Sequence, residues 1–159
     1  VLYLHIQDSS QTGYGLQNYA AISSVFTFHG KTAHGANNPW DGKDAVDAVE
    51  LMDMGFDKLR EHLHPTYRAH RTITIGGIQP NIIADTGQIW WFVRDQSMPE
   101  AKQTYEKLVK IAEGAAPGLG SSGTRLSKRS AMAGRCYAAR QSLGIPPLNM
   151  AVSAACSRG

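Results

Sequence analysis

Apolar and polar residues follow two different periods along this chain, and the switches between them predict most of its elements. Residues 2–6 (Leu-Tyr-Leu-His-Ile) are a short apolar run that reads as a strand, with a loop following at Gly13-Tyr-Gly15. Residues 21–28 are rich in β-branched and aromatic types and predict a second strand. The clearest signal is a helix over residues 43–63. There Ala45, Val49, Met52, Phe56, Leu59 and Leu63 recur at intervals of four and three, one stripe of a 3.6-residue period. Asp44, Asp47, Glu50, Asp53, Asp57 and Glu61 take the opposite face. Asp41 is placed to cap the start, and Pro65 prevents the helix from running far past His64.

Three more strands are expected at residues 70–75, 82–84 and 88–94, with turns at Gly76-Gly77 and Asp85-Thr-Gly87 between them. A second helix opens at Ser97-Met-Pro-Glu100, where a serine and a glutamate three residues apart form a capping box and proline occupies the first turn. Ala101, Tyr105, Leu108 and Ala112 give it an apolar stripe, and it should end near Gly114. This order predicts an α+β fold: a two-layer sandwich of a four-stranded antiparallel sheet with both helices on one face.

Beyond Pro117 neither period persists. Ala, Ser, Gly and Arg dominate, and weak order is expected because so little apolar surface offsets the entropy of ordering. Charge divides the chain at the same place. All 13 acidic residues lie at or before Glu113, so residues 1–116 carry a net −3 and residues 117–159 carry +6. An acid-free stretch that begins so abruptly is what a reading-frame change in a GC-rich gene would produce. No run approaches the ~18 apolar residues a membrane span needs. The start, Val-Leu-Tyr-Leu-His, has no basic segment or small-residue cleavage site and falls within an apolar strand, as if cut from a longer polypeptide. A cytoplasmic location is expected on that reading.

Among the six histidines, His62, His64 and His70 flank a helix end and a strand, where a solvated surface role is the default. His29 and His34 bracket Gly-Lys-Thr-Ala in a loop, the kind of segment where binding groups gather. Their spacing alone does not make them metal ligands. His5 ends a strand ahead of Asp8 and suits either a sheet edge or a cleft. Asn81, after Gly76-Gly77 and Pro80, suits a turn. Arg94 closes the Ile89-Trp-Trp-Phe-Val93 run; it serves either as a charged strand end or as a fork for a carboxylate. The residues by themselves reach as far as an anionic-ligand site built from His34, Asn81 and Arg94.

Phe26-Thr-Phe-His-Gly-Lys-Thr-Ala-His34 and Pro39-Trp-Asp-Gly-Lys-Asp-Ala-Val-Asp-Ala-Val-Glu-Leu-Met52 together resemble the dimerisation (lid) domain of the aminoacylase and carboxypeptidase family of zinc peptidases. Gly76-Gly-Ile-Gln-Pro-Asn81 and Val93-Arg94 continue the resemblance in order, with the aminobenzoyl-glutamate and N-acyl amino acid amidohydrolases as the nearest branch. The resemblance implies a ferredoxin-like lid over residues 19–116, a remnant of the catalytic domain at 1–18 and an unrelated basic tail at 117–159. It implies a homodimer joined through the lid, in which His34, Asn81 and Arg94 bind substrate and the histidine reaches the partner's active site. His34 and Asn81 would donate to the oxyanion forming at the scissile amide, and Arg94 would pair with the substrate carboxylate.

His5 matches a metal-ligand position in that branch, but one histidine cannot hold a catalytic zinc pair. The parent enzyme is therefore expected to need zinc or another divalent metal, and this chain to bind none and to hydrolyse nothing alone. A different class, an α+β nucleic-acid-binding module with a basic tail, is the alternative; the −3 of residues 1–116 and the acidic helix face argue against it. A thiol enzyme using Cys136 or Cys156 lacks a histidine near either cysteine.

Overall fold

The computed structural model describes residues 19–117 and 125–133. Strand β1 (Ala20–His29) leads through a connection into helix α1 (Ala45–Leu59), which a single 3-10 turn (Arg60–His62) prolongs. Strands β2 (Arg68–Gly76) and β3 (Thr86–Asp95), helix α2 (Met98–Ala115) and strand β4 (Arg125–Ala133) follow. The sheet order is β2-β3-β1-β4, with every neighbouring pair antiparallel. Each helix therefore joins two strands that run the same way with a third strand between them, which is the ferredoxin-like arrangement. The expected α+β sandwich is the fold observed.

Alternation along β1 and β3 decides where the core sits. Ala20, Ile22, Ser24, Phe26 and Phe28 of β1 are buried, as are Ile89, Trp91, Val93 and Asp95 of β3. Their neighbours in sequence face the other way. Both helices cover the buried face. Helix α1 lays Ala45, Val49, Met52 and Phe56 on it, and α2 lays Ala101, Tyr105, Leu108 and Ala112, the stripes expected from the sequence. Trp91 sits at the centre, with the Phe56 ring 4.7 Å from it edge-on and the Arg71 guanidinium over its face at 5.6 Å. Among the described residues its buried indole N–H has no partner.

Four expectations are corrected. Residues 82–84 do not form a ladder strand; Ile82 makes only an isolated bridge to His34, because the segment is spent tying two loops together. The fourth strand comes instead from residues 125–133 of the basic tail, where composition predicts weak order. Met132, Lys128 and Leu126 there fall opposite Ile22, Phe26 and Phe28, an alternation too polar to stand out in sequence. The helix cap is Asp44, whose carboxylate accepts the Val46 N–H at 2.8 Å, while Asp41 accepts from the Asn38 amide instead. His29 is the last residue of β1 rather than a loop residue, and it meets Ser127 of β4 at 3.2 Å. The capping box at Ser97 and Glu100 forms as expected.

The acidic face of α1 is partly neutralised by the sheet. Arg71 of β2 reaches over to pair with Asp53 and, at 3.3 Å, with Asp57, which also holds Arg60 at 3.0 Å. The hydrogen bond to Asp53 raises the Arg71 pKa above its usual value, so this cation stays charged throughout. Asp47 has no such partner among the described residues. Partial burial, and then the nearby Asp44 and Glu50, push its carboxyl above the ordinary carboxylate value.

Two outcomes follow. Trp91→Ala should cost about 3–5 kcal/mol, a large share of a typical domain's stability; urea unfolding measures it, and a loss under ~1 kcal/mol would contradict Trp91's place in the core. For Asp47, the folded pKa lies above the unfolded one, so folding disfavours the ionised form and lowering the pH through the raised value relieves that cost. Asp47→Asn should therefore raise the thermal midpoint slightly at neutral pH, with the gain vanishing in acid where Asp47 is protonated. A gain that grows in acid would reverse that sign.

Candidate functional site

The connection between β1 and α1 is pinned on both sides by backbone hydrogen bonds. Lys31 and Lys43 exchange a pair at 2.9 and 2.8 Å, which closes the loop on itself. The segment between β2 and β3 runs alongside: Gly30 N–H donates to Asp85 O at 2.7 Å, Ile83 N–H to Ala33 O at 2.9 Å, and Gly35 N–H to Asn81 O at 2.8 Å. Two glycines make this approach possible. A Cβ on Gly30 would collide with the Lys43 carbonyl, and one on Gly35 would lie 3.0 Å from the Asn81 carbonyl oxygen. His34 and Asn81, 47 residues apart in sequence, are thereby fixed side by side.

The imidazole of His34 is oriented by its own loop. Its Nδ1 lies 3.2 Å from the Ala36 N–H and 3.3 Å from the Asn37 N–H, both of which donate to it. An Nδ1 that accepts carries no proton, so in the neutral ring the proton is on Nε2. The exposed side of His34 is consequently a hydrogen-bond donor, with the exposed Asn81 next to it. Beside them opens a hollow of about 360 Å³, lined by Asp44, Val46, Gly77, Ile78, Pro80 and Ile82 among others.

Arg94 is elsewhere. The His34 and Asn81 loops lie where β1 ends and β3 begins, whereas Arg94 is next to last in β3, opposite Ala21 at the start of β1. From Thr86 to Arg94 the extended strand covers roughly 27 Å at about 3.4 Å per residue. The structure thus brings two of the three expected residues together and puts the third at the far end of the sheet. On the sheet face that the helices leave open, Arg94 stacks over the Phe92 ring at 5.6 Å, and Phe92 lies 5.3 Å from Trp90. The Trp90 indole N–H donates to Ser23 Oγ at 2.9 Å.

Composition alone hides this open face. Trp90-Trp91-Phe92 reads as one apolar run, although a two-residue period sends Trp90 and Phe92 to the side opposite Trp91. Arg68, the cross-strand neighbour of Arg94, has no motif around it to mark it as part of a site. His62, His64 and His70 lie away from the His34 loop; His64 Nδ1 contacts Thr66 Oγ1 at 3.0 Å, and Thr66 in turn donates to the buried Asp95 at 2.8 Å. His5 and both cysteines lie outside the described residues. Among the described residues no three His, Cys, Asp or Glu side chains converge as a metal site, and no helix is long and apolar enough to cross a membrane.

No family model matches the chain. Among curated proteins it is 38% identical over 104 residues to one component of the p-aminobenzoyl-glutamate hydrolase of Escherichia coli (strain K12), which covers 65% of this chain and 22% of that protein. It is 34% identical over 92 residues to the Xaa-Arg dipeptidase of Mus musculus, covering 58% of this chain and 21% of that one. The chain thus spans about a fifth of the length of the curated relatives it matches. Among solved structures, an aminobenzoyl-glutamate utilization protein from Klebsiella pneumoniae superposes with a TM-score of 0.63 at 19% identity, over 74% of this chain and 29% of that one. A hydantoinase/carbamoylase family amidase from Burkholderia vietnamiensis gives 0.66 at 13% identity, over 76% of this chain and 29% of that one. At such identities these two establish the fold, and the curated relatives supply the kinship. The chain is a relative of the p-aminobenzoyl-glutamate hydrolases and Xaa-Arg dipeptidases, and its described residues form an amidohydrolase-like domain.

Proposed function

We propose that this chain is the dimerisation and substrate-positioning domain of a metal-dependent amidohydrolase acting on N-acyl amino acids or aminobenzoyl-glutamate-like amides, and that its substrate groups work in pairs of copies. The observation that carries this reading is the separation of His34 and Asn81 from Arg94. A small amide cannot touch residues at both ends of one sheet. Two copies remove the difficulty. Strand β2 is an edge strand, with Ile73 46% and Ile75 37% exposed, and Ile78 just beyond it is 93% exposed. An open edge of this kind is a template for pairing.

If two β2 strands pair antiparallel about a two-fold axis, the Gly76 end of one lies beside the Arg68 end of the other. The His34 and Asn81 loops of one copy then stand on the same side as Arg94 of the second copy. Counted from β3 of one copy to β3 of the other, the distance left to span is three strand spacings, about 14 Å, rather than the strand's length. Through Nε2–H, His34 would donate to an oxyanion, and Arg94 would take a carboxylate. The metal centre, taken as zinc, belongs to the rest of the parent enzyme; no described residue supplies it. The relatives lend nothing to a nucleic-acid role, and a cytoplasmic setting is part of the proposal.

Sedimentation equilibrium of the chain should therefore give a dimer. The double substitution I73K/I75K, which places charge along the β2 edge on exposed positions, should shift it to monomer without loss of secondary structure. A wild-type chain that stays monomeric at high micromolar concentration, or a variant that stays dimeric, would refute pairing through β2.

A further inference from the structure

The open face of the sheet has an electrostatic character that the rest of the domain lacks. It is formed by alternate residues of all four strands, with His29 of β1, Arg68, His70 and Ile75 of β2, Trp90, Phe92 and Arg94 of β3 and Arg129 of β4 among its large side-chain positions. No acidic residue shares this face, although the domain as a whole is acid-rich, with its carboxylates on the helices, in the loops and, at Asp95, on the buried side of β3. Arg68 and Arg94 are direct cross-strand partners, which sets two like charges about 5 Å apart at the Cα atoms. Like charges directly opposite each other destabilise a sheet. Among the described residues neither guanidinium has a carboxylate partner, in contrast to Arg71, which turns to the helix face and meets two. One terminal nitrogen of Arg68 is held by the Pro65 and Tyr67 carbonyls at 2.8 and 2.7 Å, and Arg94 rests on Phe92. Both heads are thus steadied, while their remaining N–H donors point at no acceptor among the described residues.

Resting on the reading of Arg94 as the substrate's carboxylate anchor, we propose that Arg68 and Arg94 together hold the two carboxylates of an N-acyl dicarboxylic amino acid. Arg94 takes the α-carboxylate and Arg68 the side-chain carboxylate. A dianion cancels the repulsion between the two arginines, and each carboxylate suits a guanidinium fork. A cationic side chain would instead be repelled by the same pair. Arg68 is therefore a specificity-determining residue that selects glutamyl-type over neutral or basic amides.

The test is a binding titration of the 15N-labelled full chain at low ionic strength, following the Trp90 indole signal, assigned with Trp90→Phe. Three probes are used: N-acetylglutamate, its isostere N-acetylglutamine, which keeps the α-carboxylate but has a neutral side chain, and inorganic phosphate. N-acetylglutamate should bind about tenfold more tightly than N-acetylglutamine, a preference that shrinks as salt screens it. Arg68→Gln should abolish the preference while leaving N-acetylglutamine binding intact. Arg68→Lys, which keeps the charge but not the two carbonyl bonds, should retain much of it, separating charge from a structural role. Arg94→Gln should weaken both acyl amino acids. Equal affinity for the two, or a preference that survives Arg68→Gln, overturns the dicarboxylate assignment while the Arg94 anchor stands if Arg94→Gln still removes binding. Phosphate competing as well as N-acetylglutamate overturns it in favour of an unselective anion patch. If neither acyl amino acid binds, or Arg94→Gln changes nothing, the anchor and the dicarboxylate assignment both fall.

Discussion

The antiparallel pairing of β1 with β3 is the constraint on which the rest of the domain depends. Ten consecutive residues of each strand are in register, from Ala20 opposite Asp95 to His29 opposite Thr86. Because side chains alternate with a period of two, a slip of β3 by one residue would turn Trp91 out to water and bury Arg94 and Trp90. The helices hold that register from one side: Phe56, Met52 and Leu108 fit only against the face that carries Trp91. What remains, by subtraction, is an open face of aromatic, hydroxyl and arginine side chains. The ladder's length also sets the long separation between the loops at one end and Arg94 at the other.

The same register explains why His34 and Asn81, distant in sequence, stand side by side. Once Gly30 donates to Asp85, the β1–α1 connection and the β2–β3 connection leave the sheet together, and their backbones pair as far as Gly35 and Asn81. His34 is fixed twice, by its bridge to Ile82 and by the two N–H groups that set its tautomer. The loop delivers a donor on a short tether, held by backbone rather than by a flexible side-chain network. In the proposed dimer the second copy would bring Arg94 to this pair, with the open β2 edge as the route.

Much of this is legible in the sequence where burial dominates. The stripes of both helices and the capping box at Ser97 and Glu100 reflect periodicities that packing enforces, and the structure reproduces them. Legibility fails where backbone bonds or edge position decide. Residues 82–84 look like a strand, yet their N–H and C=O groups are used by Ala33 and Ala45 in loop pairing. Strand β4 leaves little trace in the sequence because an edge strand buries little: Leu126 is its partly buried apolar residue, while Lys128 turns to Glu113 at 3.7 Å. Resemblance singles out His34, Asn81 and Arg94, but only the register shows that the first two lie together and the third does not. Arg68 carries no signal of its own, since its meaning depends on what stands across the strand.

The measurement closest to the central claim is a distance between spin labels in a mixture of two singly labelled chains, one at position 81 and the other at position 94, with Cys136 and Cys156 replaced. Antiparallel pairing through β2 predicts that the distance between copies is clearly shorter than the roughly 27 Å that separates the two ends of β3 within one copy. The absence of any dipolar coupling between copies, or a distance between them longer than the one within a copy, would contradict a site assembled from two chains.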